Sequence, residues 1–449
     1  MGKDLTQGGV LKTLAFFSLP FLLSYFLQTF YGLADLFIIG QFEGVSGTTA
    51  VAIGSQIMHM LTVMITGLAM GTTVTIARAC GAKDAQAAAR AIGATTALFA
   101  AVSILLTLLL LVEVENIIRL VATPAAATAE TCRYLAICFA GIPCITAYNV
   151  ISAVMRGLGD SKSPLYFTAV ACVANIALDY FFIGALQLGA AGAALGTVVA
   201  QTLSVACALV FICHVKALPQ TMRRDFTPSL KASAAILKIG VPLTFQEGLI
   251  QTAFIVITVI ANLRGLNDAA AVGIAEKIIS FVFLVPSSLL AAVAAICAQN
   301  IGAGKPLRAK ETLRHAVYLA TTFGLLVALP MQGVAGRIIA LFTNPTLPGG
   351  AEVIRLGGEY LQGYSWDTIF AGIHFSFSGY FYALARADIS FLHNFISIVL
   401  LRVPGVYLAS VMFPDTLLPM GLATASGSLL SVAICLTAYK ILAKRETLS

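Results

Sequence analysis

From Phe16 to Ile39 the chain runs apolar for long enough to cross a bilayer, with one charge inside it, Asp35. Stretches of this kind recur along the 449 residues at approximately 13–39, 49–77, 90–112, 131–154, 165–185, 190–214, 234–262, 269–299, 312–332, 353–383, 389–411 and 417–442. A hydrocarbon core about 30 Å thick takes about 20 residues of helix to span. Inside lipid every backbone N–H and C=O must be satisfied within the protein, which leaves only helices and closed barrels. A barrel would show short segments of alternating polarity, and none are present. Composition agrees, with 59% hydrophobic and only 10% charged residues. The expected fold is therefore an all-α polytopic membrane protein of 12 transmembrane helices.

The net charge of +7 does not indicate nucleic-acid binding. Lys and Arg gather in short clusters between apolar runs, the pattern expected of cytoplasmic loops. Lys83, Arg90, Arg156, Lys162, Lys305, Arg308, Lys310, Arg314, Arg386, Lys444 and Arg445 fall on one side, leaving few such as Arg119, Arg264 and Arg337 on the other. Both termini are then expected in the cytoplasm, with the chain a multi-pass protein of the plasma or inner membrane. The first apolar run follows Lys12 directly, is too long for a signal peptide and lacks a cleavage site. Nine cysteines, an odd number without CxxC spacing and mostly inside apolar runs, read as small buried hydrophobes.

The chain repeats itself. Ala50-Val51-Ala52-Ile53 and the helix after it match Ala271-Val272-Gly273-Ile274 and its helix, in a register that holds to Gly81-Ala82 against Gly302-Ala303. Pro20 in the first span faces Pro242 in the seventh. The expected domains are an N-lobe over 1–214, a basic, proline-containing cytoplasmic linker over 215–232 and a C-lobe over 233–449. Six spans per half is even, so the repeat is of the parallel kind, and its pathway is expected between the halves. The register that pairs the prolines sets Ile257 opposite Asp35 and places Asp179 opposite Gly405 or its neighbours. The acidic pair therefore belongs to one half alone.

A carboxylate at membrane depth costs about 2.5–3.5 kcal/mol on insertion scales and marks an ion or substrate pathway. Asn175 and Asp179 are four apart in one apolar helix and share a face. Thr197 follows a stretch of small residues, Gly189 to Ala194, that permits close helix packing, and Tyr31 lies one turn before Asp35. If spans 1, 5 and 6 are neighbours, two carboxylates, an amide oxygen and two hydroxyls converge in an oxygen-rich cage for a hard monovalent cation. Low dielectric and a like-charged neighbour suit the same cage to a proton. The plain structural alternative is a carboxylate pair locked into helix–helix hydrogen bonds. No P-loop, HExxH or GxSxG occurs in a suitable context, so neither an ATP-driven pump nor an intramembrane enzyme is expected.

Tyr31-Gly32-Leu33-Ala34-Asp35, Arg156-Gly157-Leu158-Gly159-Asp160-Ser161-Lys162-Ser163-Pro164, Asn175-Ile176-Ala177-Leu178-Asp179, Gly192-Ala193-Ala194 with Thr197, and Gln299-Asn300-Ile301-Gly302-Ala303-Gly304 occur in this order. In these segments the chain resembles multidrug and toxic compound extrusion (MATE) transporters over nearly its full length, most nearly the branch with DNA-damage-inducible and archaeal-type members. The resemblance implies two six-helix lobes that export organic cations or other amphipathic drugs in exchange for Na⁺ or H⁺, with no cofactor beyond the coupling ion. It places the cation site on Tyr31, Asp35, Asn175, Asp179 and Thr197, with Na⁺ held by Asp35, Asn175, Asp179 and Thr197, and the bending proline on Pro20. A monomer is the expected form. A lipid-linked oligosaccharide flippase of the same superfamily is the alternative, although it would be expected to carry basic groups where this N-lobe has acids.

The second half departs from another branch of that family. The positions at which that branch carries carboxylates in spans 7 and 10 fall on Ile250 and near Ala371, with Glu247 and Asp367 about one turn away. Asn149, Glu247, Gln251, Asp367 and His374 are candidate linings of a substrate cavity, against the simpler reading of polar contacts within the lobe. Arg402, inside span 11, needs an acceptor, for which Asp367 or backbone carbonyls are the candidates. Glu276 and Lys277 are expected near the outer interface.

Overall fold

Only helices satisfy this backbone. A computed structural model describes residues 4–214, 229–346 and 348–448, and among these there is no strand. In chain order the spans are α1 (Val10–Phe42), α2 (Val45–Gly81), α3 (Ala85–Leu120), α4 (Thr128–Ala140 and Ile142–Gly157), α5 (Lys162–Ala185) and α6 (Gly189–His214). After them come α7 (Leu230–Arg264), α8 (Leu266–Gly302), α9 (Pro306–Ile339), α10 (Gly350–Ser365 and Asp367–Ala383), α11 (Ala387–Met412) and α12 (Leu418–Leu448). Ten of these are long and apolar enough to cross a membrane unbroken, and α4 joins them as a pair of segments bent by 48°. Most of the expected linker, residues 215–228, lies outside the described residues.

The repeat reaches into irregularities that hydrophobic patterning does not register. α2 ends at Gly81 and α8 at Gly302, and Pro20 and Pro242 both lie inside their helices. α4 breaks at Gly141 and α10 at Trp366. Pro143 opens the second segment of α4, where its missing N–H leaves the ladder open. α5 relaxes into a π-turn at Tyr180–Ala185, and α11 does the same at Ile398–Arg402. Such turns insert one extra residue and often mark functional sites.

The chain packs as two compact units. One comprises Met1–Thr6, Leu19–Thr244 and Gly302–Gly304, the other Gln7–Ser18, Phe245–Ile301 and Lys305–Ser449. These limits differ from the expected 1–214 and 233–449, and glycine supplies the reason. A Cβ on Gly71 would strike the carbonyl of Ile236, one on Gly240 would strike that of Leu68, and Gly67 faces the backbone of Leu243. The first half of α7 thus lies backbone to backbone against α2 and belongs to the first unit.

Each unit has its own core. In the first, Ile38, Ile39, Val51, Tyr134, Leu135, Phe139, Ile183 and Ala193 are buried together. In the second, the cluster holds Ile257, Val272, Tyr360, Tyr364, Val406 and Met420. Ile257 and Val406 are fully enclosed there, at and beside the positions that answer to Asp35 and Asp179. The architecture packs hydrocarbon at these places, so it does not require the acids.

The Arg156–Pro164 segment has a structural part. A Cβ on Gly157 would collide with Ile76 and the Thr73 carbonyl, and Gly159 takes φ +86°, which favours glycine. Asp160 then accepts the backbone N–H groups of Lys162 and Ser163 at 2.9 and 3.0 Å, capping α5.

Candidate functional site

α1, α5 and α6 bring four of the expected residues to one place in the first unit. Asp35 (4% exposed), Asn175 (1%) and Asp179 (0%) are buried, and Thr197 is half-buried. Asp179, Asn175 and Thr197 are the polar groups nearest the Asp35 carboxylate. The hydroxyl of Thr197 donates to Asp35 Oδ2 at 3.4 Å. Among the described residues no hydrogen bond of normal geometry between ionised carboxylates and neutral partners serves Asp35 Oδ1, either carboxylate oxygen of Asp179, or either amide heteroatom of Asn175, although the two carboxyl groups and the amide lie close together.

Five unpartnered polar atoms in one buried cluster are costly, each about 1–3 kcal/mol, unless something else binds them. The set is oxygen-rich with two formal negative charges, the chemistry of a hard cation or a proton. Among the described residues no group of three or more His, Cys, Asp and Glu side chains forms a transition-metal site.

Tyr31 stands beside this cluster. Its hydroxyl accepts the Gln201 side-chain amide at 3.4 Å and lies near both Asp35 and Tyr148. The Tyr148 hydroxyl in turn pairs with Thr168. Tyr134 and Cys138 of α4 lie near Asp35, and Tyr134 near Asp179 as well. Gln201, one turn after Thr197, escapes sequence reasoning because an amide in an apolar helix carries no charge signal. Its buried Oε1 is unpartnered as well.

Gly196 shapes the site. A Cβ there would overlap Asp179 Oδ1, while the Asp179 backbone N stays 3.6 Å away. The side chain must therefore yield and the helices need not. Gly196→Ala is expected to keep the fold and expression but to turn Asp179 aside, weakening coupling-ion affinity about tenfold, as loss of about 1.4 kcal/mol of ligation does. Ion titration of substrate flux in proteoliposomes checks this, and an unchanged half-saturating ion concentration would contradict it.

The remaining expected residues lie elsewhere. Pro20 is inside α1, in the first unit just past Ser18, the last α1 residue of the second, and the Arg156 guanidinium lies 5.4 Å from the ring centroid of the adjacent Phe21. Asn149 is used within the first unit, accepting from Thr66 at 3.0 Å and donating to the Ile145 carbonyl at 2.9 Å. In the second unit Glu247 and Gln251 are half-buried on α7. Asp367 (0% exposed) accepts from Arg402 Nη2 at 2.6 Å, and Arg402 also donates to Ser428 and the Thr424 carbonyl. His374 is buried with its ring 5.4 Å from that of His393. Glu276 turns inward from α8, accepts from Thr258 at 3.3 Å and lies near Tyr360, while its neighbour Lys277 is exposed.

Known proteins resemble this chain along most of its length. "Probable multidrug resistance protein YpnP" of Bacillus subtilis (strain 168) is 30% identical over 407 residues, covering 91% of this chain and 90% of its own. "DNA damage-inducible protein F" of Escherichia coli (strain K12) is 24% identical over 359 residues, covering 80% and 76%. Among solved structures, "Crystal structure of MATE in complex with MaL6" superposes with a TM-score of 0.91 at 20% identity, covering 99% of each chain. The sequence profile of the MatE family matches residues 20–181 and 242–408, one stretch in each half. The chain belongs to the MatE family of multidrug and toxic compound extrusion transporters.

Proposed function

We propose that this protein is a secondary active antiporter that exports organic cations and amphipathic drugs in exchange for Na⁺ or H⁺ bound at Asp35, Asp179, Asn175 and Thr197. One observation carries the reading. A buried carboxylate pair with five unpartnered polar atoms occupies one unit, at positions where the repeated unit packs Ile257 and hydrocarbon around Val406. The fold works without the acids, so their cost is supported by a ligand. The relatives' names, multidrug resistance proteins among them, point the same way.

Na⁺ would be held by the two carboxylates, the Asn175 amide oxygen and the Thr197 hydroxyl; a proton would be shared by the carboxylates, with Tyr31 and Gln201 orienting Asp35. Either ion moves the conformational balance only through its different affinity for the two facing states, and the drug does so in the opposite sense. The distribution of Lys and Arg supports a cytoplasmic position for both termini. A flippase would need cations for a pyrophosphate, and none of the groups identified around Asp35 is basic.

Flux in proteoliposomes tests the proposal. Ethidium is expected to move against its gradient when a Na⁺ gradient or a pH gradient is imposed, and only the coupled ion supports it. Equal flux with neither gradient would refute antiport.

A further inference from the structure

A recess of about 520 Å³ opens between α9, α10 and α12 of the second unit. Buried Phe377 on α10 and half-buried Tyr439 on α12 form its floor, their ring centroids 5.8 Å apart and edge to face. Tyr380 braces Tyr439 at 5.9 Å. Val317 and the exposed Tyr318 of α9 continue the lining. A cavity of roughly 150 Å³ suffices for benzene. This one has room for a phosphodiester and the first part of a hydrocarbon chain.

Lys310 and Arg314 line the same recess one turn apart on α9, and Tyr318 follows one turn later. The three share a face over about 12 Å of helix. Arg314 is exposed, and among the described residues its guanidinium makes neither a hydrogen bond nor an ion pair. Glu311 is the acid in the lining, and its carboxylate lies 3.7 Å from the His315 imidazole. Two cations against one carboxylate leave the rim positive.

Position adds a further constraint. α9 starts at Pro306, directly after Lys305, and on α12 the exposed Lys440 and Lys444 follow Tyr439. The recess therefore lies at the basic end of these helices, the end that the charge distribution assigns to the inner leaflet. Exposed hydrocarbon alone marks any lipid-facing helix. A basic pocket between helices at this level is matched instead by an anionic headgroup. A soluble anion would use the two cations and leave the aromatic floor idle.

We propose that this recess is a site for an anionic phospholipid of the inner leaflet, its phosphate held by Lys310 and Arg314 and its first acyl carbons laid on Phe377, Tyr439 and Val317. Lipid retention is measured without ion or drug, so it stands or falls separately from antiport.

Native mass spectrometry of the purified, delipidated full-length protein is the test, with equal amounts of dioleoyl phosphatidylglycerol and dioleoyl phosphatidylcholine added back. One molecule of phosphatidylglycerol is expected to be retained at least about tenfold over phosphatidylcholine, the scale set by two cations near the headgroup plane. Lys310→Gln with Arg314→Gln is expected to abolish that preference, while Lys83→Gln with Arg90→Gln, two exposed cations of the first unit, keeps it. Val317→Trp leaves both cations in place and fills the recess, so it is expected to lower retention several-fold. Glycerol 1-phosphate in large excess is expected not to displace the lipid. Equal retention of the two lipids by the wild type overturns the proposal, as does a preference that survives Lys310→Gln with Arg314→Gln. Equal loss in the Lys83 and Arg90 pair would reduce the effect to general surface attraction, and displacement by glycerol 1-phosphate would reassign the site to soluble phosphate esters; either result also overturns it. Should a variant leave the monodisperse peak in size-exclusion chromatography, the wild-type lipid ratio and the displacement experiment still decide.

Discussion

Asp35→Asn and Asp179→Asn are each expected to reduce gradient-driven efflux to the level of vesicles without protein, while folding and expression stay near wild type. Both substitutions keep the shape of the side chain and remove its charge. Neither breaks an ion pair among the described residues, and the Thr197 hydroxyl that donates to Asp35 at 3.4 Å can donate to an amide oxygen as well. Loss of an unpaired buried charge relieves a desolvation cost, so stability is expected to hold or rise. Transport has no such tolerance. With one carboxylate gone the cluster keeps a single negative charge, and the ion loses both Coulomb attraction and a ligand. The drug then cycles without bias, because an ion that does not distinguish two states cannot drive their exchange. The measurement is ethidium efflux from everted vesicles, alongside substrate exchange in the absence of any gradient. Exchange is expected to survive where net uphill transport is lost. Unimpaired uphill efflux in both variants would remove the carboxylates from the coupling mechanism.

How much of this was readable beforehand depended on charge. A lone carboxylate in an apolar run stands out, so Asp35 and Asp179 were visible, and helical spacing brought Asn175 with them. The repeat was legible through motifs such as Gly81-Ala82 against Gly302-Ala303, which end equivalent helices. Arg402 announced its need of an acceptor, and Asp367 and the Thr424 carbonyl both serve it. Gln201 and Gly196 stayed hidden, since an amide or a glycine in a membrane helix has many uses and their role depends on which helix lies opposite. Hydrophobic period was equally blind to the breaks at Gly141 and Trp366 and to the two π-turns, because one added residue shifts the apolar face by only a fraction of a turn. The unit boundary inside α7 was missed for a related reason. It is set by glycines on two helices, Gly71 on α2 and Gly240 on α7, whose meeting no local pattern records.

The second large effect belongs to the buried pair of the other unit. Asp367→Leu alone leaves the Arg402 guanidinium, 9% exposed, facing hydrocarbon and two tyrosines with only the Ser428 hydroxyl and the Thr424 carbonyl to hold it. Arg402→Met alone strands Asp367 with no cation. Each single change is expected to cost about 3–5 kcal/mol, the usual result of orphaning one member of a buried ion pair. Replacing both is a different matter. Two apolar residues of similar volume carry no desolvation cost, and the surrounding core of Tyr360, Tyr364 and Val406 already packs hydrocarbon. Asp367→Leu with Arg402→Met is therefore expected to recover most of the lost stability. The check is the temperature at which half the detergent-solubilised protein leaves the monodisperse peak in size-exclusion chromatography, read across the two single variants and the double. Additive losses would mean that the two residues act on stability independently and that their 2.6 Å contact does not govern it. Recovery in the double variant would show instead that the fold tolerates hydrocarbon at this point too, as it does around Ile257.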